Sequence, residues 1–348
     1  MGSWWFGWVV LLVCALSLAL TGCAATPAKV ASAWPIANSE ATVTPSAEGL
    51  RFPLTGLPVR AGASYPVTPI CAKLVDGGSG SALSGLGWAD VVYETADSGT
   101  GTNLAALFQS QAPGRVGPLG PAGMPDLWIL PQYGAALFST GATATVGASL
   151  KRVGQLDMSQ GSAAGDFAYT SVTSPRRLAG TYLNGGRAYQ QMIALGSSVA
   201  SDSARLRFAE STGATGSPTA ALSIPFSANQ VVSWSWSNRS STYLRSQGGH
   251  TQRDPATHKQ LSASNVVVMW ARYTALESDL TGNAGFDVTL GGSGQVTVFR
   301  DGQRFDGRWK ADGSSPPTFA TESGQAIRLA PGATWFEVIP LSANITMR

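Results

Sequence analysis

The chain has 348 residues, a net charge of +3 at neutral pH and only 12% charged residues, with 41 glycines, 11 tryptophans, three cysteines and two histidines. Lys and Arg are scattered singly, which excludes a nucleic-acid stripe and a polybasic membrane patch, so no nucleic-acid partner is expected. Once a leader is set aside, roughly 300 residues remain, enough for one large domain or two moderate ones.

The first element is an apolar run from Val9 to Leu20, closed by Leu20-Thr21-Gly22-Cys23. It is short for a membrane-spanning helix, which needs about 20 apolar residues, and fits the h-region of a signal peptide. The closing tetrad looks like a bacterial lipobox, with Cys23 expected to carry a diacylglycerol. A retained signal anchor is the alternative, and either would hold the protein at the membrane by burying apolar chain at about 0.8 kcal/mol per CH₂. No Lys or Arg precedes the run, so Met1 need not be the natural start. Residues 24 to about 50 are rich in Ala, Ser, Thr and Pro without an apolar period, the composition of a flexible tether. The expected organisation is a signal peptide over 1–22 and a lipidated cysteine with tether over 23–51. Two folded parts, 52–222 and 223–342, follow.

With Cys14 removed and Cys23 acylated, only Cys71 remains and no intramolecular disulfide is possible. It sits in "VTPICAKLV", a strand-like apolar run, where a buried inert thiol is expected rather than a nucleophile.

The part over 52–222 mixes elements. "YPVTPICAKLV", "ADVVYET", "NLAALFQS" and "AALFST" read as strands. "MPDLWILPQY", "TVGASLKRVGQL" and "GRAYQQMIAL" read as helices, the first short or kinked because Pro131 lies inside it. Such mixing argues for an α/β or α+β layer. From about residue 223 the pattern turns to strands. "VVSWSWS" alternates, placing Trp234 and Trp236 on one face. "STYLRS", "NVVVMWARY", "FDVTL", "GQVTVFRDGQRFDGRWK", "QAIRLA" and "ATWFEVIP" follow. Asp301-Gly302 is a hairpin signal, because a type I′ turn needs positive φ at both central residues. This part is expected to be mainly antiparallel β.

Several stretches resemble the YerB-like lipoproteins, the DUF3048 family. They are "FPLTGLPV", "GLGWADVVYET", "LAALFQS" and "RVGP" in the first part, then "YLRSQGGHTQRD", "LSASNVVV", "GSGQVTVFRDGQRFDGRWK" and "PGATWFEVIP" in the second. The resemblance runs from about Phe52 to Pro340 and implies a two-part extracytoplasmic lipoprotein with no established activity. It also implies departures. Asn103 stands where the family pattern has an arginine, and Gly120 and Gly123 stand where an Arg-Ser-Ala-Arg run would begin and end. Neither Asn nor Gly offers the charged bidentate fork of arginine, so any anion site built from those arginines is lost or altered here.

The chemistry-bearing residues are few. Both histidines lie in "GGHTQRDPATHKQ", with His250, Asp254 and His258 four apart, but Gly248-Gly249 and Pro255 make this a turn-rich connection rather than a helix of metal ligands. Tyr243, Arg245, His250 and Asp254 match the family and His258 does not. A loop pinned by hydrogen bonds explains them without a metal, and none is expected. G-x-S-x-G, P-loop and H-E-x-x-H motifs are absent, so no cofactor is implied. "DGGSGSALSGLG" reads as a connection between strands. The remaining acid/base candidates are Glu94, His250 and Asp254, with Asp90 and Asp97 near Glu94. Asn103, Tyr243 and Arg245 join those three as candidate ligand-binding residues. The reading favours a non-catalytic binder of an envelope ligand or protein partner. A cell-envelope hydrolase or transferase acting on wall or glycan material is the alternative.

Overall fold

The computed structural model describes residues 49–60, 68–77, 83–97, 99, 101–161, 168–173, 180–196, 205–276 and 285–348. The expected lipobox, Cys23 and nearly all of the tether lie outside these residues. The first part contributes β1 (Ile70–Asp76), a 3₁₀ turn (Leu86–Trp88), β2 (Val91–Ala96), β3 (Thr102–Phe108), α1 (Asp126–Tyr133), β4 (Ala136–Phe138), α2 (Ala144–Arg152), β5 (Tyr169–Val172), β6 (Gly180–Leu183), α3 (Gly185–Ala194) and β7 (Ser217–Pro218). Next come β8 (Ala221–Ser227), β9 (Gln230–Ser237), β10 (Thr242–Gln247), β11 (His250–Thr251), β12 (Ser262–Ala263) and β13 (Asn265–Ala275). The chain continues through β14 (Phe286–Thr289), β15 (Gly292–Arg300), β16 (Gln303–Ala311), β17 (Thr318–Ala320), β18 (Thr334–Pro340) and β19 (Thr346–Met347). The fold is the β-rich, mixed α/β class expected, with mostly antiparallel pairing.

Local chemistry starts and stops the helices. Thr143 and Asn184 cap α2 and α3 by accepting from the Val146 and Arg187 amides, satisfying orphan N–H groups of the first turn. The helix α1 is eight residues long with Pro131 inside, and Gly134 ends it in the left-handed conformation.

The main sheet runs β17-β16-β15-β13-β18-β2-β3-β1-β4, with β14 added on β13 and β7 on β16. Its centre joins the two sequence parts. Strand β18 pairs in parallel with β13 on one side and with β2 on the other, setting Glu337 opposite Glu94. Strand β13 is buried on both faces through Val266, Val267, Val268 and Met269, which is why it reads as a continuous apolar run. A second sheet, β11-β10-β9-β8-β19 with β12 on β10, covers one face of the first. Val92, Leu104, Val266 and Trp335 pack there against Ile224, Val232, Trp234 and Tyr243. On the other face Tyr93, Val267 and Phe336 form a core with Ile129 and Leu130 of α1 and with Val146 and Leu150 of α2.

The hairpin β15–β16 turns at Asp301 and Gly302, whose φ values of 53° and 71° are both left-handed. Trp234 is buried, and Trp236 packs partly against the same core from two residues along β9. One strand expectation fails. "QAIRLA" forms only isolated bridges at Ala326 and Leu329. Ile327 and Leu329 are buried as the alternation suggested, but their amides donate to different segments, at Phe319 and Arg207. The carbonyls of Arg328 and Ala330 accept instead from the side chains of Arg300 and Asn265. Side chains take the bonds that a neighbouring strand would need.

Candidate functional site

Between the sheets lies a charged cluster sealed from solvent. Arg245 on β10 donates from one terminal nitrogen to both oxygens of Glu94 on β2, at 2.9 and 2.7 Å, and both side chains are 0% exposed. Glu94 also accepts from Thr102 Oγ1 at 2.7 Å and from Trp335 Nε1 at 3.1 Å. The guanidinium carbon lies 5.0 Å from the Trp335 ring centroid, within cation–π range. Glu337 accepts from Trp234 Nε1 at 2.7 Å. Burial opposes the arginine's charge, and Glu94, Glu337 and Asp76 together outweigh it and raise its pKa.

Two carboxylates thus lie in the field of one arginine, and a neighbouring like charge disfavours ionisation. Burial first, then the neighbouring Glu94 charge, pushes Glu337 well above its usual 4.5. Its Oε2 makes no hydrogen bond among the described residues. The sequence left open whether Glu94 and Asp97 converge. Asp97 caps a turn by accepting from Gly99 and Gly101, while the carboxylate beside Glu94 comes from a strand more than two hundred residues away. A single glutamate inside "ATWFEVIP" was the available signal for Glu337.

The second feature is the loop that carries the histidines. Asp254 is 0% exposed. Its Oδ1 accepts from the amides of Gly85 (2.9 Å) and Ala256 (2.8 Å), and its Oδ2 from that of Gly87 (2.7 Å). One carboxylate therefore ties the loop to the 3₁₀ turn before β2. Gly87 has to be glycine for this approach, because a Cβ there would sit 2.9 Å from Asp254 Oδ2 and 3.0 Å from Thr257 Oγ1. Between the tied segments opens a cavity of about 410 Å³, lined by Gly87, Trp88, Gln111, Thr257, Lys259, Gln260 and Ser262. That volume lies in the range of small-molecule sites. Sequence reasoning missed the cleft because its two walls, tied by Asp254, lie some 170 residues apart in the chain.

The other candidates are dispersed. His250 is exposed at the end of the β10–β11 hairpin, paired with Gln247, and His258 occupies a left-handed turn position with φ 59°. Tyr243 is buried against Trp236, with ring centroids 5.1 Å apart, and its hydroxyl donates to the Gln303 carbonyl. Asp90 is buried and accepts from the Ser110 hydroxyl and from the Gln109 and Ser110 amides; burial still raises its pKa to about 6. Burial also pushes the Cys71 thiol far up. Among the described residues no group of three or more His, Cys, Asp or Glu could hold a metal ion.

Asn103 pairs with Val75 and Thr95 in the ladder. It lies on the sheet face opposite Glu94, since its strand neighbour Leu104 is the residue opposite Glu94. Gly120 packs on the same Val75, where a Cβ would come within 2.5 Å of Val75 Cγ2. The Gly123 amide donates to Asp126, which forms a buried 2.7 Å ion pair with Lys73. Gly120 thus makes an apolar contact, and Gly123 adjoins a self-neutralised pair.

The architecture defines a β-rich class in which two successive sequence parts build one central sheet. Residues 54–194 match the family described as "Protein of unknown function (DUF3048) N-terminal domain", and residues 222–336 match its C-terminal domain. The chain belongs to the DUF3048 family. It is similar to "Putative lipoprotein YerB" of Bacillus subtilis (strain 168), 22% identical over 302 residues that cover 86% of this chain and 88% of the relative. The crystal structure of the Bacillus subtilis YerB protein superposes with a TM-score of 0.71 at 21% identity, over 85% of this chain and 99% of that one. The two share a fold.

Proposed function

We propose that this protein is a lipid-anchored, non-catalytic binder on the outer face of the bacterial cytoplasmic membrane, holding an envelope ligand in the Trp88–Lys259 cleft. In this reading residues 1–22 are a removed signal peptide, Cys23 carries the lipid, residues 23–51 form a tether, and the parts 52–222 and 223–342 build the body. The lipoprotein character of the relative supports the anchor. No helix among the described residues is long and apolar enough to cross a membrane.

The observation that carries the binding reading is the cleft's inventory. Among its lining residues Lys259 is the only one with an ionisable side chain, whereas hydrolysis or transfer by acid/base chemistry needs two titratable groups within reach of the reacting atoms. Glu94 is sealed between the sheets, Asp254 spends both oxygens on backbone amides, and His250 is not among the cleft's lining residues. The cleft offers an aromatic surface, amides and hydroxyls, the equipment of recognition.

Thermal unfolding of the protein with solubilised wall and glycan fragments tests this. A ligand at a hundred times its Kd stabilises the fold by about 2.7 kcal/mol, a clear shift. Trp88→Ala, and the exposed Gln111→Ala as a milder companion, are expected to abolish or reduce that shift. A ligand whose shift survives both substitutions places binding elsewhere. For the anchor, Cys23→Ala is expected to stop incorporation of labelled palmitate, and continued labelling rejects Cys23 as the lipid site.

A further inference from the structure

The cleft's residues also constrain the chemistry of its occupant, and this step rests on the binding reading above. We infer that the ligand is a sugar ring carrying a single carboxylate. Trp88 is half-buried and lines the cavity. An indole surface suits the C–H face of a pyranose, with an apolar body and polar groups left wet at the rim. Gln111, Thr257, Gln260 and Ser262 supply donors and acceptors for ring hydroxyls. Gln260 uses its Nε2 on the Arg245 carbonyl at 2.9 Å, which orients the amide and leaves Oε1 to accept.

The charge is specific as well. Lys259 is exposed and forms no ion pair within 4 Å among the described residues, so its ammonium is available to an anion. The backbone behind it is held in place. Asp254 N donates to Lys259 O at 2.9 Å, His258 N donates to Asp254 O at 2.8 Å, and the left-handed φ of 59° at His258 lies between them. A non-glycine residue in that region persists only where its surroundings over-determine it. The loop is thus set before any ligand arrives.

A phosphate fits less well. Phosphate sites are built from backbone N–H groups of glycine-rich turns and helix starts, and the glycine turn in this wall has already committed the Gly85 and Gly87 amides to Asp254. One lysine without that cradle matches one carboxylate. A neutral sugar would leave the cation unused.

The test uses the full-length protein in detergent, titrated by calorimetry with a hyaluronan tetrasaccharide and with its carboxyl-reduced, uncharged counterpart. The expected result is tighter binding of the carboxylate form, by about fivefold for a solvent-exposed ion pair, with the margin shrinking in high salt. Lys259→Gln is expected to erase the margin between the two sugars. Trp88→Ala weakens both sugars, and Gln111→Ala repeats the effect without touching the core. Equal affinity for the two sugars, both sensitive to Trp88→Ala, overturns the carboxylate inference and leaves the binding reading intact. No binding of either sugar, or binding indifferent to Trp88→Ala and Gln111→Ala, overturns the inference and removes the cleft as a glycan site.

Discussion

Glu337 and Asp254 show two opposite uses of a buried carboxyl group. Burial and the neighbouring Glu94 charge raise the Glu337 pKa, which gives a signed pH dependence. A carboxyl group whose folded pKa is raised binds more protons in the native than in the unfolded state, so stability falls as pH climbs above the unfolded value. Asp90, raised to about 6, contributes this loss between about pH 4 and 6. Glu337, pushed well above 4.5, continues it at higher pH. Glu337→Gln replaces the protonated acid by its isostere. Urea titrations at rising pH above 4.5 are expected to show stability falling more steeply in the parent than in the variant; parallel profiles would mean that the Glu337 pKa is not raised. Arg245→Met, by contrast, strands Glu94 and is expected to cost about 3–5 kcal/mol. Asp254 is ringed by three amide donors. Asp254→Ala leaves all three without their acceptor and is expected to destabilise by about 3–5 kcal/mol, from 1–3 kcal/mol for each buried unsatisfied group after partial hydration. Asp254→Asn, which keeps one acceptor oxygen, costs less by the same urea measurement.

At the scale of elements, the patterns that survived were those set by local rules. The alternation in "VVSWSWS", the run in "NVVVMWARY" and the Asp301-Gly302 turn each depend on a few neighbouring residues, so the sequence carries them in full. Gly302 is required twice, by its φ of 71° and by the Trp236 indole, whose Nε1 would lie 2.9 Å from a Cβ. Gly302→Ala is expected to cost about 1–2 kcal/mol from backbone conformation alone, read as a lowered midpoint in thermal unfolding. An unchanged midpoint would place the turn in another conformation. The failure at "QAIRLA" has the same logic reversed. Its burial period is local and legible, but whether a strand forms depends on which distant groups reach its carbonyls, and here those are Arg300 and Asn265.

For the whole molecule, the decisive contact is the parallel pairing of β2 with β18. It brings residues about 240 positions apart into register, and no local signal announces it. Because the central sheet needs strands from both sequence parts, the protein is expected to unfold in a single transition, with fluorescence and circular dichroism midpoints coinciding. Residues 52–222 expressed alone would expose the long edge of β2, a template for aggregation, and are expected to lack a cooperative transition. A fragment that melts cooperatively by itself would show that the first part carries its own complete core.

The sequence by itself determined the β-rich mixed class, most of the strands and helices, the hairpin turn, the inert Cys71 and the family, because each follows from short-range periodicity, turn chemistry or motif order. Only the tertiary structure decided which charges meet. Glu94 pairs with Arg245 beside Glu337, Asp254 ties a distant glycine turn, and Trp88 and Lys259 come to share one cleft. Those outcomes depend on register between strands far apart in the chain, and a hydrogen bond or ion pair across such a distance leaves no trace in the spacing of residues along it.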